Sequence, residues 1–460
     1  MNTKGLSRRD VLRLGALTAG GAALAGCGLG TETPGATSPA VVPATAVPAT
    51  AVPQATSGPY QGRFVIMSLA PANQNSELIK GIEDGNPGII VDWRGFRSDR
   101  FVELFAAAEV GGEQIDILDL NGQDLRRYAL AGKLVDLSDS PLKDRIREAG
   151  LRTYTVRDKL WALARGGISG FTFLYNKKPL KEIGFTDKLE TYDQLKQIAP
   201  ELAKIGVAPF TAPGKNIYMW PIWHFFAYCQ TSGGKPVENT LKTLGGEMKF
   251  TDPEHVAALE ILYNYGRDGM FISGVNSLDN DAAQLNYMEG KALMWYWHTS
   301  VIGLVYNAQG GQAAFPNLDL DLMPPLASVA GAVRGMPGGT GDATGIYSKI
   351  APERMELAKS ILDLMTSDKW VKWRNERDAD PVSTNKNVQA SNDPFALEYA
   401  ADCAPYQFTY LDWYWPPEVT RAFQENQAAL VAGTTTPDKA GQAIQDALDG
   451  LYAGGYKFEL

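Results

Sequence analysis

The chain has 460 residues, 45% hydrophobic and 21% charged, the balance of a folded protein rather than a disordered, fibrous or multi-pass membrane one. Lys and Arg number 43 against 52 Asp and Glu, a net charge of −9, and residues 1–27 hold four of the bases and one acid, which leaves the remainder at −12. So acidic a body excludes a binder of nucleic-acid backbone, which needs a clustered basic excess.

The N-terminal segment reads as an address. Ser7-Arg8-Arg9-Asp10-Val11-Leu12-Arg13 is a basic region with a twin-arginine pair. The mild apolar stretch from Leu14 to Leu24 is shorter than the roughly 20 apolar residues a membrane span requires. This layout predicts an export signal over residues 1–27, and the arginine pair predicts the route that carries folded proteins. Leu24-Ala25-Gly26-Cys27 resembles the lipobox of bacterial lipoproteins. That implies cleavage before Cys27, lipidation of its thiol and anchoring to the cell membrane. Residues 28–60 carry one charged residue, Glu32, and Val42 to Pro53 repeats with a period of five. Regular proline favours extended chain, so this segment is predicted to be a disordered tether, reaching on the order of 100 Å at about 3.1 Å per residue.

From Arg63 the pattern changes. Phe64-Val65-Ile66-Met67 predicts a strand, Glu77–Glu83 a helix, Ile89–Trp93 a second strand. Ser98 can cap a helix in which Phe101, Phe105 and Ala108 recur at i, i+4 and i+7, and Ile115–Leu120 is a third strand. A β-α-β-α-β run implies a parallel sheet with helices on its faces. Pro253, Pro352 and Pro437 mark three later helix starts, the first capped by Thr251 or Asp252. In the last helix Ala440, Ile444, Ala447, Leu448 and Leu451 share one face.

Several segments, in this order, resemble the extracellular solute-binding proteins of ABC importers, in the family 1 group of maltodextrin-binding and other sugar-binding proteins. They are Asp116–Asp119, Tyr128–Leu137, Phe173–Leu180 with Gly184, Thr191–Leu195, Phe250–Pro253 and Met288–Met294. The resemblance runs from about Arg63 to Tyr452. It implies an α/β, two-lobed periplasmic-binding-protein-like fold of type II, with parallel-sheet lobes joined by a three-segment hinge. Lobe one would comprise residues 61–169 and 343–388, lobe two 170–342 and 389–460. The crossings would fall near Gly166–Gly170, Gly335–Gly341 and Pro381–Asn387, where glycines suit a hinge. It further implies a monomer that binds carbohydrate, works with ABC permease subunits outside the cytoplasm and needs no cofactor.

Catalytic patterns are nearly absent. Gly167-Ile168-Ser169-Gly170-Phe171 misses the nucleophile elbow, and neither His-Glu-x-x-His nor Cys-x-x-Cys occurs. His224, His255 and His298 are far apart and read as packing or satisfied polar residues, so no metal site is expected. Cys229 and Cys403 are left open between a disulfide and two buried thiols. Asp319 with Asp321, and Asp378 with Asp380, read as solvated acidic repeats rather than a glycosidase pair.

Aromatic clusters are the informative feature. Trp220 and Trp223, Trp297, and Trp413 with Trp415 all fall in segments assigned to lobe two. Flat rings stack on the apolar faces of sugars, while hydroxyls need polar partners. Such partners are expected at strand ends: Asn73 and Gln74 after the first strand, Arg97 after the second, Asn121, Gln123 and Asp124 after the third. Arg165 and Asp342 stand beside crossings, and an arginine there could hold sugar hydroxyls or an acidic sugar's carboxylate. One departure from the family lies at His298-Thr299-Ser300, where relatives carry Gly, Ser and a stacking Trp. The expected function is capture of a sugar or oligosaccharide for import. The alternatives are a non-sugar solute such as a polyamine, phosphate ester or peptide, an extracytoplasmic polysaccharide hydrolase, or an adhesion module.

Overall fold

The computed structural model describes residues 60–458 except 97, 186, 187 and 390. The export signal, Cys27, the tether up to residue 59 and Arg97 lie outside the described residues. Phe64, Val65, Ile66 and Met67 are all buried because their strand, β1 (Gly62–Ser68), lies inside a sheet. It pairs in parallel with β2 (Ile89–Gly95) on one side and β3 (Ile117–Leu120) on the other. The helices Ser76–Gly85 and Ser98–Val110 make the connections, which completes the β-α-β-α-β unit. A strand buried on both faces reads as a continuous apolar run, as this one does.

After β3 come a short hairpin, β4 (Thr155–Val156) with β5 (Lys159–Leu160), and then β6 (Leu163–Ala164). The long β7 (Gly167–Asn176) starts a second sheet. That sheet takes in β8 (Ala208–Thr211), β9 (Ala292–His298), β10 (Leu320–Met323), β11 (Met336–Thr340), β13 (Val382–Ser383) and β14 (Gln407–Phe408). β12 (Ala343–Ile346) returns to the first sheet, in the order β2-β1-β3-β12-β6.

Neither sheet is parallel throughout, which corrects the expectation of parallel-sheet lobes. β6 leads into β7 across the gap and β11 leads into β12 back across it. The two passages run in opposite directions, so β12 pairs antiparallel with β6 and β11 antiparallel with β7. A third passage follows the helix Asp368–Asp378, where the chain reaches β13 and pairs with β7. Each sheet has its own core, one around Phe64, Phe101, Phe105 and Ile361, the other around Phe173, Phe210, Trp223 and Tyr296.

The proline-marked starts are found at Pro253–Arg267, Pro352–Met365 and Pro437–Ala453. Asp252 holds the cap position of the first, but its carboxylate accepts from the Lys249 amide instead of capping the helix. Cys229 and Cys403 are both buried and unpaired. Cys403 Sγ lies 3.5 Å from the Thr172 hydroxyl, and burial pushes both thiols up to about 11.

Candidate functional site

A cavity of about 1440 Å³ opens where the chain passes between the sheets. Its floor is built at the crossings. Gly167, the first residue of β7, has no room for a side chain, since a Cβ there would sit 2.2 Å from the Asp380 Cβ. That closeness lets the Gly167 amide donate to the Asp380 carboxylate at 2.9 Å. Burial, and then the neighbouring Asp378, lift Asp380 to about 7. Arg374 bridges Asp342 and Asp378, its Nε 3.3 Å from the latter. Arg377 forks onto Asp378 at 2.5 and 2.8 Å and donates to the Gln74 carbonyl at 2.5 Å. Charges this deep persist because they are paired.

His298 ends β9 on the cavity wall. Its Nδ1 accepts from the Ser300 amide at 3.2 Å, which places the proton on Nε2, 3.4 Å from the Ser169 hydroxyl. Burial depresses this imidazole to about 4, so it stays neutral. Ser169 also bonds Asp380. The carboxylate is thus on the serine side and nothing acidic holds Nδ1, the reverse of a nucleophilic triad.

Of the residues singled out from sequence, Gln74, Asn121, Asp124, Asp342, Trp413 and Trp415 line the cavity. Asn121 accepts from the Asp124 amide at 2.9 Å and so caps the helix Gly122–Leu130, which carries Asp124 onto the wall. Asp124 is raised to about 6 by burial. Trp415 stacks on Phe423 at 4.0 Å, and Trp413 on Tyr410 at 4.9 Å. The Gln123 side chain and Arg97 lie outside the described residues.

Five expectations need correction. Asn73 is exposed on the 3-10 turn Ala72–Asn75 and lies outside the cavity lining, whereas the next residue, Gln74, lines it. Arg165 is 2% exposed and gives both ends of its fork to Asp119 at 2.6 and 2.5 Å, a pair sealed inside the first sheet. Trp220 and Trp223 are 0% and 1% exposed, because the helix Trp220–Thr231 is buried on every side. Trp297 falls on the opposite face of β9 from His298, since side chains alternate along a strand, and it stacks on Trp295 at 4.6 Å. The cavity therefore receives His298 where an aromatic from this strand was expected. Also missed were Arg374, Arg377, Asp380, Tyr410 and Tyr414, all on the lining. One signal was available: Asp378 ends a helix and Asp380 directly precedes an expected crossing, at Pro381–Asn387.

Buried donors on the lining without a hydrogen-bond partner include Nη1 of Arg374 and Nε1 of Trp415, in residues 8% and 6% exposed.

Two α/β lobes with a large cleft at their chain crossings define a binding protein that encloses its ligand. Residues 77–397 match the bacterial extracellular solute-binding proteins, and the chain belongs to that family. Among solved structures it is similar to a chitin oligosaccharide binding protein, with 20% identity, a TM-score of 0.75, and 86% of this chain and 100% of that one covered. It is also similar to RafE in complex with raffinose, at 17% identity and a TM-score of 0.68, covering 85% and 99%. A third likeness is to Lmo0181 of Listeria monocytogenes in complex with cycloalternan, at 18% identity and a TM-score of 0.67, covering 86% and 100%. At such identities the likeness is one of fold. The sequence matches no curated protein.

Proposed function

We propose that this chain captures an oligosaccharide between its lobes and delivers it to the permease of an ABC importer. The lobes are taken as 61–169 with 343–388, and 170–342 with 389–460. The observation that carries the reading is one cavity of about 1440 Å³ at the chain crossings, lined by Tyr410, Trp413, Tyr414 and Trp415 together with buried donors such as Arg374 Nη1 and Trp415 Nε1. Sugar hydroxyls are acceptors of the kind these donors need, and the volume exceeds the roughly 300–1,000 Å³ of a pocket for a drug-sized ligand. A cleft this large suits several sugar rings rather than one. Oligosaccharide ligands in structural neighbours, raffinose and cycloalternan among them, support the same class. Binding proceeds by closure, since a ligand that touches both lobes only when they meet favours the closed state.

The body works outside the cytoplasm as a monomer, held to the membrane through lipidated Cys27 and exported by the twin-arginine route. A Cys27→Ala chain should appear unprocessed or in the soluble fraction, and unchanged mass and fractionation would refute the anchor. Changing Arg8 and Arg9 to Lys should stop export of the folded body.

The binding reading is tested by thermal shift against malto-, xylo-, chito- and raffinose-series oligosaccharides, with spermidine and a tripeptide alongside. A ligand at 100 times its dissociation constant stabilises by about 2.7 kcal/mol. A shift with spermidine or peptide and none with any sugar would overturn the carbohydrate assignment.

A further inference from the structure

The segment after the last helix forms part of the cleft. The helix Pro437–Ala453 stops at a pair of glycines, Gly454 and Gly455. Gly455 takes a left-handed φ of 89°, a conformation open to glycine. Its amide donates to the Tyr452 carbonyl at 2.9 Å, and the Tyr456 amide donates to the Leu451 carbonyl at 3.0 Å. These are the two bonds of a Schellman closure, which sets the direction in which the chain leaves its helix. The Tyr456 ring lies beside that of Tyr452, their centres 6.0 Å apart. Two residues on, Phe458 is partly buried against the core of the second sheet. The segment is thus held at both ends, and Gly455, Tyr456, Lys457 and Phe458 all line the cavity.

The opposite side of the cleft meets this segment. The helix Gly122–Leu130, which follows β3 of the first sheet, carries Arg126 onto the same lining. The Arg126 guanidinium lies 5.9 Å from the centre of the Tyr414 ring, which comes after β14 of the second sheet. Burial disfavours the charge on Arg126, and Tyr414 and Tyr456 both act against that loss. Arg126 therefore interacts with two tyrosines that belong to the other side. One turn earlier on the same helix, a Cβ on Gly122 would lie 2.5 Å from the Trp413 ring. At this end the two sides of the cleft touch instead of standing a ligand's width apart.

A groove open at both ends admits an internal stretch of a long chain, because the chain runs in at one side and out at the other. A groove crossed by a wall admits only a chain that stops there. This wall contains a turn closed by backbone hydrogen bonds and a ring seated on a core, both of which resist local opening.

We propose that Tyr456, Lys457 and Phe458, with Arg126 and Tyr414 facing them, form a fixed end wall, and that the cleft recognises the end of a short linear oligosaccharide and rejects internal stretches of polysaccharide. This rests on the carbohydrate reading above and narrows it to a ligand with a free end at that wall. Rings such as Tyr414 and Tyr456 offer the last sugar unit flat apolar faces, and Lys457 offers its hydroxyls a donor. The reaction that must supply such a ligand is cleavage of a longer chain, since each cut creates the ends the site needs.

The test is calorimetric titration of the intact protein with linear malto-, xylo- and chito-oligosaccharides, followed by a long soluble chain of whichever series binds. Affinity should stop rising beyond a fixed length, and the long chain should load at most one protein. Several proteins on each long chain would overturn the end wall and leave the carbohydrate reading intact. Two variants then open the wall. Deletion of residues 455–460 removes it, whereas Tyr456→Ala keeps the glycine turn and the Phe458 anchor and so guards against loss of folding, which melting temperatures report. The folded variants should load several proteins on the same long chain. A single protein per chain in folded Tyr456→Ala and in the deletion would overturn the assignment to this segment. If no oligosaccharide of any series binds, the carbohydrate reading falls and this inference with it.

Discussion

The contact between Gly122 and Trp413 offers a way to separate closure from ligand contact. Gly122 begins the helix that follows β3 of the first sheet, and Trp413 lies just after β14 of the second. A Cβ built on Gly122 would lie 2.5 Å from Cε3 and Cζ3 of Trp413 and 2.8 Å from Cη2. Ordinary carbon contacts start near 3.5 Å, so the ring would have to retreat by about 1 Å. Its retreat is opposed by Tyr410, stacked on it at 4.9 Å. Over-packing of this kind costs about 1–3 kcal/mol. The cost falls only on the arrangement in which the lobes meet, because Gly122 does not have a left-handed φ and its own helix accepts alanine. With the lobes apart, alanine is favoured over glycine in a helix by up to about 1 kcal/mol. Gly122→Ala should therefore leave the melting temperature of the free protein unchanged or higher. Its ligand affinity should fall about 5- to 150-fold, the equivalent of 1–3 kcal/mol of coupling. Calorimetry measures the affinity, and small-angle scattering with and without ligand measures compaction. Wild-type affinity in Gly122→Ala would refute the reasoning, as would an affinity loss matched by an equal loss of folding stability.

Trp220→Ala and Trp223→Ala should destabilise the body by about 3–5 kcal/mol in urea unfolding, as losses of core rings do, while any folded fraction binds ligand normally. Trp415→Ala should instead weaken binding, measured by calorimetry, because its indole N–H is a buried donor without a partner on the cavity lining. Arg165→Met leaves Asp119 charged and buried and should cost about 3–5 kcal/mol, measured the same way; unchanged stability would contradict the buried pair. Asp380 holds its proton more tightly folded, at about 7, than unfolded, near the ordinary 3.8. Its stabilising contribution is therefore complete below about pH 3.8 and is lost as pH rises through 7, by at most about 1.4 kcal/mol per pH unit. Asp380→Asn should flatten the decline of stability between about pH 4 and 7, and an unchanged slope in unfolding curves would exclude this assignment.

The first half of the fold is legible because β1 is a central strand whose apolar run is uninterrupted, with β2 and β3 following it at short intervals and caps and glycines between them. The direction of the returning strands was not legible, since antiparallel pairing at the crossings follows from how the chain passes the gap, not from any local pattern. The aromatic residues divide for a reason the sequence does contain. Trp220 to Gln230 has no polar face, which marks a helix buried all round. Trp413 and Trp415 sit in a short irregular segment beside Asp412, prolines and tyrosines, where no core face is defined. The partner of Arg165 was not legible, because the strand Ile115–Leu120 carries both Asp116 and Asp119 and only the fold chooses Asp119. The floor of Arg374, Asp378 and Asp380 was hidden because these residues lie more than 200 positions from Gly167 in the sequence, and only the folded topology brings them together.

The two unpaired thiols bear on where this body can fold. Cys229 and Cys403 are buried, and with both lifted to about 11 they hold almost no thiolate near neutral pH. Neither oxidation nor reduction of its surroundings is then needed to reach the native state or to keep it. The same fold can mature among the thiol reductants of a cytoplasm and survive in an oxidising exterior. The export of a finished body proposed above on Arg8 and Arg9 would ask this of its interior.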